Sequence, residues 1–238
     1  MNKFVGYALA SATVLAVAAC GGGGDSTPTP PASVPLAQAL RAIQSTGYQK
    51  TLNISGTASN GTQTFPVTGS LQFSASGFNT PASFNGQPAL SSTQTINGTL
   101  SVNGQTVPLA STGQSFVTTG FLPLGDQAAS SYCVVTQATP LPTSASVGTT
   151  GTYSTASCYT DSTKVFAAGT ETVSYTISAG TTSSNLTATE MDILFDTSNK
   201  QVASVQSTYL IDISGTATFQ AIALAETQSG IALSLTGQ

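Results

Sequence analysis

Apolar residues that alternate with polar ones, rather than recurring every third or fourth position, most constrain this chain. Val173, Tyr175 and Ile177 form one such run, Met191, Ile193 and Phe195 a second, and Tyr209, Ile211 and Ile213 a third. A period of two puts successive side chains on opposite faces of a strand. Each apolar set is therefore expected to face inward, with the other face meeting solvent or a ligand. Asn60-Gly61, Asn85-Gly86 and Asn103-Gly104 punctuate the strands as turn dipeptides, because both residue types tolerate positive φ. Residues 196–200 read as another turn and residues 219–226 as a further strand.

An internal repeat strengthens the hairpin reading. Ile54-Ser55-Gly56-Thr57, the Asn60-Gly61 turn and Thr64-Phe65-Pro66-Val67 recur as Ile96-Asn97-Gly98-Thr99, Asn103-Gly104 and Thr106-Val107-Pro108-Leu109. Ile213-Ser214-Gly215-Thr216 echoes the opening a third time. Two good copies suit a duplicated hairpin in one sheet, not a solenoid; convergent strand chemistry is the competing explanation.

Composition agrees with extended structure. Serine and threonine fill 71 of 238 positions, whereas charged residues make up 6% of the chain, against roughly a quarter in an ordinary domain. Threonine is β-branched and serine is a poor helix former. One segment reads as a helix: Leu36, Ala39, Leu40 and Ile43 share a face, with Ser33 in the N-cap region, Pro35 in the first turn and Gly47 as the stop. The expectation is a mainly β fold, an antiparallel sheet curved into a barrel, half-barrel or sandwich, with one short N-terminal helix packed on it. Residues 34–238 are expected to form a single domain.

The first residues read as an export signal. Lys3 supplies a positive start, and residues 5–17 form an apolar core of thirteen residues, short of the ~20 a helix needs to cross a bilayer. Val17-Ala18-Ala19-Cys20 follows directly and resembles the bacterial lipobox, which implies lipidation of the Cys20 thiol and cleavage before it. The resulting protein carries acyl chains, palmitate among them, that anchor it firmly only in combination. Ala16-Val17-Ala18 also fits an ordinary cleavage site, which would release a soluble periplasmic protein. Residues 20–33, rich in Gly, Pro and Thr, form a flexible tether spanning roughly 20 to 40 Å. Gly21 rather than aspartate after Cys20 implies, by the sorting rule of many such lipoproteins, an outer-membrane location facing the periplasm, with surface exposure as the alternative.

Cys133 and Cys158 remain as an even pair in an exported chain and read as a disulfide between two strands flanking a turn-rich stretch. Such a bridge contributes ~3 kcal/mol by closing a loop in the unfolded state.

What the sequence lacks narrows the chemistry. It contains no histidine and no tryptophan. Ser-His-Asp and Cys-His catalysis and imidazole metal sites are thereby excluded, and no glycine-rich loop leads into a helix to hold phosphate. Five Lys and Arg residues are too few for a basic patch, so nucleic acid is not an expected partner. No catalytic residue, cofactor or metal is assigned. The weak candidates are acidic: Glu190 and Asp192, two apart on one face of a predicted strand, Asp196 at the following turn and Asp212 on a neighbouring strand. They read first as the polar face of an exposed strand, with Lys164 and Lys200 as surface partners of little energetic weight. Paired carboxylates also serve glycoside hydrolysis or calcium binding.

Three functions follow. The first is a membrane-anchored envelope lipoprotein with a non-catalytic structural or binding β-domain, its partner an envelope protein. The second is a carrier of lipid or another apolar ligand. A short helix followed by an antiparallel sheet resembles, in element order, the half-barrel of the lipoprotein-carrier and lipoprotein lipid-transfer families, which implies an apolar cavity between helix and sheet. The third is a carboxylate-based hydrolase, which requires Glu190 or Asp192 in a cleft with a raised pKa.

Overall fold

A computed structural model describes residues 33–228 and 230–238. The leader, Cys20 and all of the tether before Ser33 lie outside the described residues. Helix α1 (Leu36–Thr46) precedes the strands β1 (Gly47–Ser59), β2 (Thr64–Ser76), β3 (Thr80–Phe84), β4 (Gln87–Val102) and β5 (Gln105–Val117). Next come β6 (Pro123–Ala128), β7 (Ser131–Ala138), β8 (Thr150–Tyr159) and β9 (Ala167–Ala179). The last four are β10 (Asn185–Phe195), β11 (Gln201–Asp212), β12 (Ala217–Gln228) and β13 (Ile231–Gly237).

Every neighbouring pair is antiparallel, and the sheet closes on itself. β4 to β13 follow one another as a meander, β13 pairs with β1, and β2 pairs with β4. The result is a closed barrel of 12 strands. Of the three shapes open to the sequence, the barrel is the one formed, and closure leaves few unpaired strand edges. β3 lies outside the ring. It pairs with the start of β4 beyond the end of β2, and this hairpin curls back over the outer wall. There Phe84 stacks on Phe116 and Tyr132 with ring centroids 4.5 and 4.9 Å apart.

The register assigns each residue a side. Leu52, Ile54, Leu71, Phe73, Ile96, Leu100, Val205, Leu224 and Leu235 point inward and are buried as one core. The alternate positions of β1 (Thr51, Asn53, Ser55, Thr57) and β9 (Thr170, Thr172, Ser174, Thr176) point outward. The outer faces of β1 and β9 are therefore rich in hydroxyls.

The turn signals divide by mechanism. Asn85-Gly86 and Asn103-Gly104 have positive φ at both residues, the geometry of two-residue hairpins. Asn60 instead keeps negative φ, and its side-chain Oδ1 accepts the backbone N–H of Thr62 and Gln63 at 3.1 and 2.8 Å. Both copies of the repeat form hairpins, β1–β2 and β4–β5, made neighbours by the β2–β4 pairing. Its matched glycines serve one purpose: a Cβ at Gly56 or Gly98 would collide with a backbone oxygen of the adjoining strand, Ser234 or Ser70. The third echo is no strand. Ile213 lies in the β11–β12 turn and is 60% exposed, so the inward alternation stops at Ile211.

α1 forms where its apolar spacing predicts, with Leu36, Ala39 and Leu40 buried. Ser33 does not cap it. Pro35 occupies the N-cap position without a side-chain bond, and the start is fixed by Val34, which pairs with Ala145, and by the Ala37 N–H bonded to the Pro142 carbonyl at 3.2 Å. Gly47 stops the helix at φ +76°. Arg41 donates to the Gly120 carbonyl at 3.0 Å, the Phe78 N–H donates to the Gln44 carbonyl at 2.8 Å, and Gly215 adjoins Pro35 and Gln38. These contacts come from loops at the same rim, so the helix closes one mouth of the barrel rather than lying on its wall.

Candidate functional site

The inner wall is divided. The apolar core lies mainly against β1, β2, β4 and β11–β13, while β5–β10, joined by residues of β1, β2, β4 and β11 near the helix, line a cavity of about 230 Å³. It extends from Ile43 and Gln44 under the helix to Ala128 and Ser131 near the β6–β7 turn. Asp126, Glu171, Glu190 and Asp192 all face it, together with Tyr48, Tyr153 and Tyr209.

β10 explains how the acids come inside. Leu186, Ala188, Glu190, Asp192 and Leu194 share the inner face, opposite Ile211, Tyr209, Ser207, Val205 and Ala203 of β11. Met191, Ile193 and Phe195 are half-buried on the outside. The expected orientation of this strand is thus inverted. Glu190 and Asp192 share a face, as their spacing requires, but they are not the polar face of an exposed strand.

The other two candidates do not join them. Asp196 and Asp212 sit at opposite rims and shape turns. Asp196 Oδ1 accepts the N–H of Ser198 at 2.8 Å and of Lys200 at 3.0 Å. Asp212 Oδ1 accepts those of Ser214 and Thr216, each at 2.9 Å. Hydrogen bonds from the Ser198 and Ser214 hydroxyls, then from these backbone groups, hold both carboxyls below their usual range. Lys164 is not bound to them; its Nζ donates to Asn85 Oδ1 at 2.7 Å.

Two acids that no motif singled out complete the cluster. Glu171 lies on β9 in step with Val173, Tyr175 and Ile177, so the parity of that run already places it inward. Asp126 opposes Cys133 across the β6–β7 pair, and nothing in its local sequence marks it. Asp126, Glu171 and Asp192 lie side by side within hydrogen-bonding reach, with Glu171 between the other two. Burial, then the charge of Glu171, raises Asp126 well above the carboxylate range. Glu171 is raised by burial and by Asp192. Burial also raises Asp192, although the bond from Glu171 opposes it. Glu190 is pushed up to about 7 by burial. Asp192 Oδ1 is buried without a hydrogen-bond partner.

The disulfide joins Cys133 and Cys158, directly opposed on β7 and β8 with Cα atoms 4.0 Å apart. Both sulfurs and Glu171 form a compact group, but sulfurs joined to each other supply no thiolate for a metal. Lys50 also faces inward, on the opposite wall. Its Nζ donates to the carbonyls of Phe219 and Gln220 at 3.3 and 2.6 Å, where β12 shifts register against β11. Among the described residues none of the four acids is paired with a cation.

Comparison with protein families, curated proteins and solved structures found no match to this chain.

Proposed function

We propose that this is a membrane-anchored envelope lipoprotein whose barrel is a binding module, enclosing a small ligand in its acid-lined cavity. The observation that carries the reading is the cavity itself: concave, enclosed by a complete ring of strands and lined by both polar and apolar groups, the usual character of a small-molecule site. The first described residues, Ser33 and Val34, lie at the rim that α1 closes, so a tether would leave the barrel from that rim.

Hydrolysis fits less well, although Glu190 and Asp192 meet the condition of a raised pKa in a cavity. Carboxylate hydrolases divide the work between one acid kept protonated and one kept ionised. Here burial raises all four acids, and no cavity acid is held low. The apolar-carrier reading is weakened by the same wall, because an apolar guest would leave Asp192 Oδ1 without a partner.

Intact mass spectrometry on protein extracted gently from membranes tests the proposal. The expected mass corresponds to cleavage before Cys20 with acyl chains attached, and native spectra show an additional bound small molecule. A soluble product beginning near Ala19 would overturn the anchor, and a barrel that holds water alone under every condition would overturn the binding role.

A further inference from the structure

Resting on that reading, we infer that the cavity receives a small organic ammonium or guanidinium ion, with Glu190 and Asp192 meeting its charge and the phenols of Tyr48, Tyr153 and Tyr209 enclosing it. Three observations converge. The first is room: about 230 Å³ holds roughly ten non-hydrogen atoms, since a cavity of about 150 Å³ accommodates benzene. The second is the unpartnered oxygen. Asp192 Oδ1 is buried with no hydrogen-bond partner. A buried carboxylate oxygen lacking a donor is costly, and a guest N–H group satisfies it.

The third observation is the missing positive charge. Lys50 is engaged with backbone carbonyls of β12, and Arg41 is bound to Gly120 at the rim. The cavity acids therefore rely on protons for neutrality unless a cation enters. Glu190 has no hydrogen bond holding its charge; burial alone shifts it. It lies close enough to all three tyrosines for its charge to raise their pKa values further, after burial has already done so.

A bare divalent cation suits the site less. Among the described residues no three of the acids bring their oxygens together as a metal-ligating group, and the rest of the wall mixes tyrosine, glutamine, serine and apolar side chains. Entry of an ammonium ion is a balanced exchange: the carboxyl releases one proton to solvent, and the guest's positive charge takes that proton's place. No covalent bond forms. The groups governing this exchange are Glu190 and Asp192 on β10, Glu171 on β9, Asp126 on β6, Tyr48 on β1, Tyr153 on β8 and Tyr209 on β11. Arg41 on α1 acts at longer range through Tyr153.

Titration calorimetry of the intact protein decides the matter, with pentylamine and agmatine as cations, 1-pentanol as the neutral counterpart and calcium chloride as the metal. Each is run at pH 6 in two buffers of different ionisation enthalpy. Pentylamine is expected to bind at least tenfold more tightly than 1-pentanol and to release close to one proton. Glu190→Gln should weaken pentylamine at least tenfold, abolish that release and leave 1-pentanol within twofold; Asp192→Asn should weaken it independently. Because each change puts an amide of the same shape in place of a buried carboxyl, circular dichroism should show both variants folded. Equal affinity for amine and alcohol, or preference for calcium, would overturn the ammonium assignment while leaving the binding module standing. Failure of every probe, with no small molecule retained on extraction, would remove both.

Discussion

Glu171 Oε2 lies 3.8 Å from the sulfur of Cys158, so the acid line and the disulfide occupy one patch of the inner wall. The bridge fixes β7 to β8 beside the strand that carries the central acid. Removing both cysteines (Cys133→Ser with Cys158→Ser) should destabilise the barrel by about 3.5 kcal/mol, the loop-closure value for a separation of 25 residues. Urea unfolding of oxidised and doubly substituted protein measures this.

Stability should fall as pH rises above about 5. In the unfolded chain Asp126, Glu171, Glu190 and Asp192 ionise near their ordinary values, while the folded barrel keeps their protons. The unfolded state therefore binds fewer protons across that interval, and unfolding becomes easier with pH. For Glu190 the window runs from its ordinary 4.5 to about 7. Glu226, raised by burial to about 6, adds to the same slope. Below pH 4 the sign reverses, because the lowered Asp161, Asp196 and Asp212 gain protons and lose their turn bonds. Thermal midpoints between pH 3 and 9 should peak near pH 4 to 5; a flat or rising profile above pH 5 would contradict the buried-acid assignment.

Glu190→Gln should stabilise the empty protein at pH 8 by on the order of 3 kcal/mol, since each unit of raised pKa corresponds to ~1.4 kcal/mol. At pH 4, where both states are protonated, the variant should differ little from the parent. Denaturant midpoints at the two pH values test the difference.

Gly125→Ala should loosen the outer hairpin. Gly125 adopts φ +147°, and a Cβ there would meet the Cys133 carbonyl and the ring of Phe84. A loss of roughly 2 to 4 kcal/mol is expected from backbone strain and steric conflict together. Phe84→Ala, which removes the stacked ring but keeps the backbone free, should cost about 3 kcal/mol. Hydrogen exchange should then show faster opening of β3 than of the barrel strands in both variants.

Much of this architecture was legible from residue order. The helix followed from Leu36, Ala39, Leu40 and Ile43, and the disulfide from an even cysteine pair on adjacent strands. Closure was not legible, because the pairings of β1 with β13 and β2 with β4 leave no periodic trace within either partner. The acid site was half-legible. β10 carries two competing alternations: Leu186, Ala188 and Leu194 on one face, and Met191, Ile193 and Phe195 on the other. The second is the more apolar locally, so local periodicity points the wrong face inward there. The barrel resolves the conflict by keeping β10 in step with Ile177 and Ile211 on its neighbours. Asp126 becomes visible only when the fold sets it across from Cys133.

The inward turn of those acids changes what the protein presents to its surroundings. Its sequence carries a formal charge of −4, but four of its nine acidic residues face the cavity, where burial raises their pKa values. Other molecules meet a nearly uncharged coat of hydroxyls. Protein without a guest should migrate in an electric field more slowly at pH 6 than its composition suggests, and its mobility should rise as pH passes through about 7, where Glu190 gives up its proton.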